Sequence, residues 1–209
     1  MKVSLPPQAA PRSTPETRAR NTSDKPYTTP FSIIVDTRET APFTFSSLRA
    51  NSSRSYRPLN IPIVRTCLTT GDYSLVNFSA PSPLNAFRSI VIERKSLADL
   101  FGSLAGPDGE RRKRFKAEHE RMQADYILHG GQAHVVIEGR YDELDEFYEK
   151  NNQRGSTPEA VRSTHVRWTG RYGVLWHFAG SRTEAEKLTF RLLEHFYELH
   201  KHELQILPT

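Results

Sequence analysis

Cysteine is almost missing from this 209-residue chain: Cys67 is the only one. That excludes an intramolecular disulfide and any cysteine-based zinc site, and it predicts an intracellular, reducing compartment. Long apolar runs are missing as well. No stretch approaches the roughly 18 residues that a membrane span requires, and the N-terminus holds no apolar signal core. Acids are scarce in residues 1–30, where only Glu16 and Asp24 stand among Pro, Ser, Thr and Arg. This composition predicts a disordered N-terminal tail over residues 1–30, with an acid-poor transit segment as the alternative. Eight histidines are scattered. His195, His200 and His202 cluster near the C-terminus but make a poor zinc set without thiols.

What remains is enough for one sizeable core, so residues 31–209 are expected to form a single domain. The formal net charge of +5, from 29 basic and 24 acidic residues, permits a polyanion partner without demanding one.

Hydrophobic patterning predicts strands over Phe31–Val35, Ile61–Cys67, Asp72–Phe78, Phe87–Glu93, Ala133–Ile137 and Tyr172–Phe178. Helices are expected over Thr40–Arg49, from a Ser96 cap to Leu104, along an amphipathic stretch carrying Phe115, Met122 and Tyr126, and over Asp142–Lys150. Another is expected from Thr157-Pro158 to Trp168, ended by Gly170. The last follows Ser181-Arg182-Thr183-Glu184, a capping-box pattern, and carries Ala185, Leu188, Leu192, Phe196 and Leu199 at helical spacing. Residues 51–60 and 79–86 read as loops, the second joining a hairpin. Strands and a hairpin followed by strand–helix alternation give an α/β domain, a mixed central sheet flanked by helices.

The most informative stretch is Ile90-Val91-Ile92-Glu93-Arg94-Lys95-Ser96-Leu97-Ala98-Asp99. An apolar strand ends there in a carboxylate and a lysine two positions apart. Alternation puts both on one face. If residues 72–78 and 87–93 form a hairpin, Asp72 lies opposite Glu93, and two carboxylates then offer hard oxygen ligands to Mg²⁺ or Mn²⁺. Lys95 can steady a nucleophile attacking a phosphodiester. Glu-x-Lys and Gly-Asp are each common in structural settings; the combination is what carries meaning. Two roles stay open for Asp99, active-site support and closure of the helix N-terminus after Ser96.

These residues resemble the XPF-type structure-specific DNA endonucleases. The family's Gly-Asp, gap, Glu-Arg-Lys-x-x-x-Asp signature is matched by Gly71-Asp72 and Glu93-Arg94-Lys95…Asp99, and its earlier Asp-x-Arg-Glu by Asp36-Thr37-Arg38-Glu39. The likeness continues through Arg114–Met122, Ile137-Glu138-Gly139 and Arg171-Tyr172-Gly173, spanning roughly residues 31–200. It implies a restriction-endonuclease-like fold and metal-dependent cleavage of branched, flapped or forked DNA in repair or recombination. It also implies metal-site acids at Asp36, Asp72 and Glu93, a catalytic Lys95, and supporting roles for Arg38, Glu39, Arg94 and Asp99. Tandem helix–hairpin–helix repeats commonly follow this domain in the family, whereas this sequence stops at Thr209. Substrate geometry is therefore expected to be read by the nuclease domain, the tail or a partner.

A basic run, Arg111, Arg112, Lys113 and Arg114 with Lys116, opens the long amphipathic stretch. It reads either as a solvated face or as a track for DNA phosphates. A homodimer or heterodimer is expected, because Tyr172, Trp176, Phe178, Phe190, Phe196 and Tyr197 are many aromatics for one small sheet to bury, and because the family dimerises there. Two other functions compete with the nuclease reading. One is a catalytically silent DNA-binding or scaffold partner, which retention of every motif acid and the lysine disfavours. The other is a restriction or defence nuclease.

Overall fold

The computed structural model describes residues 25–50, 57–79, 88–106, 109–151 and 153–206. Most of the expected tail (1–24), most of the first expected loop (51–56), most of the hairpin loop (80–86) and Phe87 of the expected strand lie outside the described residues. Among the described residues, eight strands and five α-helices follow in chain order: β1 Tyr27–Thr28, β2 Ile33–Asp36, β3 Leu59–Asn60, β4 Ile63–Thr66, β5 Tyr73–Leu75, β6 Ile90–Ser96, α1 Leu97–Ser103, α2 Glu110–Asp125, β7 Gln132–Glu138, α3 Leu144–Lys150, α4 Pro158–Tyr172, β8 Leu175–Phe178 and α5 Arg182–His200. Residues before Phe31 belong to the fold: β1 pairs with β3, and Thr29 is buried.

Six strands form the central sheet in the order β4-β2-β5-β6-β7-β8. β5 runs antiparallel to both its neighbours, and the other pairs are parallel, so the sheet is mixed as expected. β6 and β7 lie in the middle and carry continuous apolar runs because both their faces are covered. Residues from α1, α2 and α4, among them Leu100, Phe115, Met122 and Trp168, pack one face with Val91, Val135 and Ile137. Residues from α5, with Phe43, Phe45 and Leu48, pack the other with Ile92, Tyr73 and Val136.

Capping matches the sequence. Ser96, Thr157 and Ser181 each accept a hydrogen bond from the backbone N–H three residues on, satisfying donors that the first helical turn leaves free. In α2, His119 completes the apolar stripe between Phe115 and Met122. One ring nitrogen bonds the Phe115 carbonyl, and the other accepts from Trp176 Nε1 at 2.9 Å. This pins α2 onto β8.

Three expectations are corrected. Thr40–Arg49 is not helical. Its amides go elsewhere: Phe43 N–H donates to the Tyr73 hydroxyl, and Thr44 and Phe45 N–H both donate to Glu186 on α5. Phe43 then stacks on the Tyr73 ring and Phe45 meets it edge-on in the core. Gly170 does not end α4, which runs on to Tyr172 and stops at Gly173, where φ is +72°. Burial of Trp168 and Tyr172 one turn apart outweighs the weak helix preference of one exposed glycine. Tyr172 consequently closes a helix, and the strand begins at Leu175. Finally, the aromatics offered as a dimer surface are core. Tyr172, Trp176, Phe190 and Phe196 are buried, and Phe178 and Tyr197 pack against the same clusters.

Candidate functional site

The site forms where β2, β5 and β6 end together. Gly71 makes this possible. Its φ is +73°, and a Cβ there would stand 2.3 Å from Val91 Cγ2 and 3.2 Å from the Ile92 carbonyl oxygen, so only glycine lets the turn sit this close to β6. The next residue pairs at once: Asp72 N–H donates to the Ile92 carbonyl, and Asp72 Oδ2 accepts from Arg94 N–H at 2.8 Å. The hairpin read from the sequence is present, with Asp72 beside Glu93.

Alternation along β6 then sorts the motif between the faces of the sheet. Glu93 and Lys95 share one face, with Lys95 Nζ 2.6 Å from Glu93 Oε1 and 4.6 Å from the Phe115 ring centre. Arg94 points to the other face. There it grips Glu138 through two parallel bonds of 2.7 and 3.0 Å, reaches Glu39 at 3.5 Å and lies over the Phe43 ring. Arg182 adds a second contact to Glu138 at 2.9 Å.

A cleft of about 330 Å³ collects these groups, lined among others by Asp72, Glu93, Lys95, Asp99, Glu118 and Arg121. Asp36, Arg38, Glu39 and Arg94 also border it. The buried Asp36 carboxylate is already engaged. It takes two bonds from the Arg38 guanidinium, of 2.8 and 2.9 Å, one from the Arg38 N–H at 2.7 Å and one from Leu68 N–H at 2.6 Å. Burial alone would raise its pKa, but these donors hold it below the usual carboxylate value. Asp99 exchanges hydrogen bonds with Ser96, closing α1, and still borders the cleft.

Sequence reasoning missed Glu118 and Arg121. Both come from α2, where Arg114, Glu118 and Arg121 recur at helical spacing next to the apolar stripe; that spacing was a usable signal. The basic run itself divides. Arg111 and Arg114 border a groove with Lys95, Glu118 and Arg121. Arg112 turns inward to the Leu104 carbonyl, Thr164 and the Trp168 ring. Lys113 pairs with Glu110 and Lys116 with Glu120 on the surface.

Three carboxylates, Asp72, Glu93 and Glu118, therefore crowd one ammonium. Burial, and then the charge of Glu93, push Asp72 and Glu118 well above the ordinary carboxylate range. Burial works to lower the Lys95 pKa, but the surrounding acids, Glu93 foremost, raise it overall. The Thr70 hydroxyl, also lining the cleft, is buried without a hydrogen-bond partner. Among the described residues no three His, Cys, Asp or Glu side chains already converge as a ready ligand set. Two carboxylates with excess negative charge nevertheless suit Mg²⁺, which keeps several waters and takes one or two acids from protein.

A pH dependence follows. The folded pKa values of Asp72 and Glu118 lie above their unfolded values of about 4, so the folded state binds more protons than the unfolded one. The stabilisation is complete below the unfolded pKa and is lost as pH rises through the folded values. In a chelator, the melting temperature is expected to fall as pH rises from about 6.5, above which unperturbed histidines are neutral. Mg²⁺ or Mn²⁺ should remove that fall by taking the place of the protons. A chelated protein whose melting temperature is level or climbs over this range would contradict the crowding of these acids.

A mixed sheet with helices on both faces and a cleft of acids and one lysine at its strand ends defines a restriction-endonuclease-like α/β domain. The chain belongs to the ERCC4 domain family, whose model matches residues 35–192. Among solved structures, XPF from Aeropyrum pernix is similar at 18% identity with a TM-score of 0.50, covering 80% of this chain and 60% of that one. XPF from Aeropyrum pernix in complex with DNA is similar at 17% identity with a TM-score of 0.49, covering 81% and 64%. This chain thus spans less than two thirds of either. No curated protein matches it. Among the described residues, no helix is long and apolar enough to cross a membrane.

Proposed function

We propose that this chain is a metal-dependent DNA endonuclease that hydrolyses phosphodiester bonds at branched, flap or fork structures, in repair or recombination. The observation that carries the reading is the meeting of Asp72, Glu93 and Lys95 in one cleft, with Glu118 against them. Asp72 and Glu93 would hold a divalent cation. When bound, that cation supplies Lewis-acid polarisation of a phosphoryl oxygen and a more acidic water. The chain's own groups do the rest. The backbone N–H of Arg94 orients Asp72, and Glu93 holds the Lys95 ammonium on the reacting side. From there Nζ can donate to the attacking oxygen and to charge developing on the phosphate. Arg94, clamped on the far face, keeps the tip of β6 in place. The branched-substrate reading rests on the Asp-x-Arg-Glu, Gly-Asp and Glu-Arg-Lys-x-x-x-Asp motifs taken together.

The test is a panel of linear duplex, flap, fork and four-way DNA incubated with the purified chain and Mg²⁺ or Mn²⁺. Metal-dependent cuts in the branched substrates, ahead of the linear duplex, are expected. No cleavage of any member under either metal would overturn the reading and favour a silent scaffold.

The division of the basic run gives a sharper expectation than the run as a whole. Arg114→Glu and Arg121→Glu should each weaken DNA binding and lower the slope of log affinity against log salt by about one. Lys113→Glu, at a surface pair away from the cleft, should change the slope less. Equal slopes for all three would show that the groove does not carry phosphates.

A further inference from the structure

α1 separates the acid cleft from a second hollow, of about 640 Å³. Asp99 borders the cleft, and its neighbour Ala98 borders the hollow. The interior of the hollow is apolar, lined by Ala98, Phe101, Gly102 and Phe147; Phe101 is 2% exposed, so the half-buried Phe147 supplies the open aromatic surface. Phe101 packs against Phe147 with ring centres 5.3 Å apart and stacks on Tyr148 at 5.9 Å. Cations border it: Arg111, Arg154 and Lys150, the last paired with Glu146. The acid among its lining residues, Glu110, is paired with Lys113. An apolar, aromatic interior under a cationic border matches a ligand that is flat and apolar at one end and anionic at the other.

The hollow also shares a lining residue with the groove beside the site. Arg111 borders both the hollow and the groove of Lys95, Arg114, Phe115, Glu118 and Arg121. Lys95, Glu118 and Arg121 in turn border the acid cleft. A strand whose phosphate lies at Glu93 and Lys95 can therefore follow Arg121 and Arg114 to Arg111 and reach the hollow with its next residues.

We propose that the hollow binds an unpaired nucleobase of a single-stranded DNA segment next to the cleavage site. Phe147 receives the base, and Arg111 and Arg154 hold the flanking phosphates. The identity of the ligand rests on the nuclease reading above. A paired base has no free face to offer, so the hollow would favour substrates with an unpaired strand beside the scissile bond. Gly102 fits this role. It weakens α1 relative to alanine, yet a Cβ there would meet only Arg111 Nη1, at 3.2 Å, so the glycine leaves the hollow open where a larger residue could stand.

The experiment compares the affinity of the intact chain, in chelator so that nothing is cut, for a labelled oligothymidylate and for an abasic strand of equal length. The unneutralised acid cleft repels both strands alike, so the difference reports the bases. Wild type should prefer the thymidylate by about tenfold, the scale of one or two stacked bases. Gly102→Leu should erase that preference and leave the circular dichroism unchanged; because the new side chain meets Arg111, the preference is read as the ratio of the two affinities, in which a lost phosphate contact cancels. Ala98→Trp, at an exposed position on the same wall, is the second filling variant should Gly102→Leu fail to fold. Equal binding of the two strands by wild type, or a preference that survives filling, overturns the proposal. So does displacement of neither strand but tight capture of an acidic aromatic peptide, which would assign the hollow to a protein partner. The two readings fail separately. A chain that prefers bases but cuts no DNA with Mg²⁺ loses the nuclease assignment alone, and one that cuts without any base preference loses the hollow alone.

Discussion

Glu93→Gln is expected to slow metal-dependent DNA cleavage by about a hundredfold or more, and Lys95→Ala to do the same, with both proteins still folded. One change removes a metal-binding charge, and the other removes the ammonium that steadies the attacking oxygen. Groups that act mainly in the transition state carry losses of this size. The two side chains are in contact at 2.6 Å, so the double variant should lose far less than the product of the single losses. Glu93→Gln should cost little stability, whereas Lys95→Ala leaves the buried Glu93 without its partner and should cost up to roughly 3 kcal/mol. Removing the Glu93 charge relieves the repulsion that raises Asp72 and Glu118, and Gln keeps an acceptor for Lys95. Single-turnover cleavage rates and thermal melts check both halves. Wild-type rates in either variant would remove the pair from the chemistry.

Arg94→Ala should do the opposite and show its effect first in stability. The Arg94 side chain is 13% exposed and joins Glu138, 12% exposed, to Glu39, 8% exposed. Deleting one partner of a buried ion pair leaves an uncompensated charge and costs roughly 3–5 kcal/mol. Here the lower end, about 3 kcal/mol, is expected, because Arg182 still reaches Glu138 and Glu39 keeps its bond from the Ala41 N–H. Lysine should rescue only part of the loss, since it cannot reproduce the two parallel bonds to Glu138. Denaturant unfolding measures this directly. A loss below about 1 kcal/mol, the range of exposed pairs, would show that the clamp is not a buried network.

Much of this was legible in the sequence for identifiable reasons. Strong periodicity and side-chain caps gave the mixed sheet, α1, α2 and α5, and the pairing of Asp72 with Glu93 followed from alternation and a hairpin-length gap. What escaped was settled by tertiary contacts. Thr40–Arg49 has helix-compatible residues, but Glu186, more than 140 positions away, takes its amides. Arg112 sits in a basic run, yet Thr164 and Trp168 draw it inward. Glu118 lies amid ordinary helix-surface charges, and only the packing of α2 against β6 brings it beside Glu93. The aromatics near the C-terminus misled because a count of rings does not show that two core layers share them.

The tip of β6 has a further consequence. Its odd and even positions serve opposite faces, so reactivity and rigidity are inherited through different side chains of one short motif. Sequence drift at Glu93 and Lys95 can erase turnover while Arg94, Glu138 and Arg182 go on bracing the sheet. A descendant of this chain could thus retire as an enzyme without first becoming unstable, and remain available as an inert subunit beside an active one.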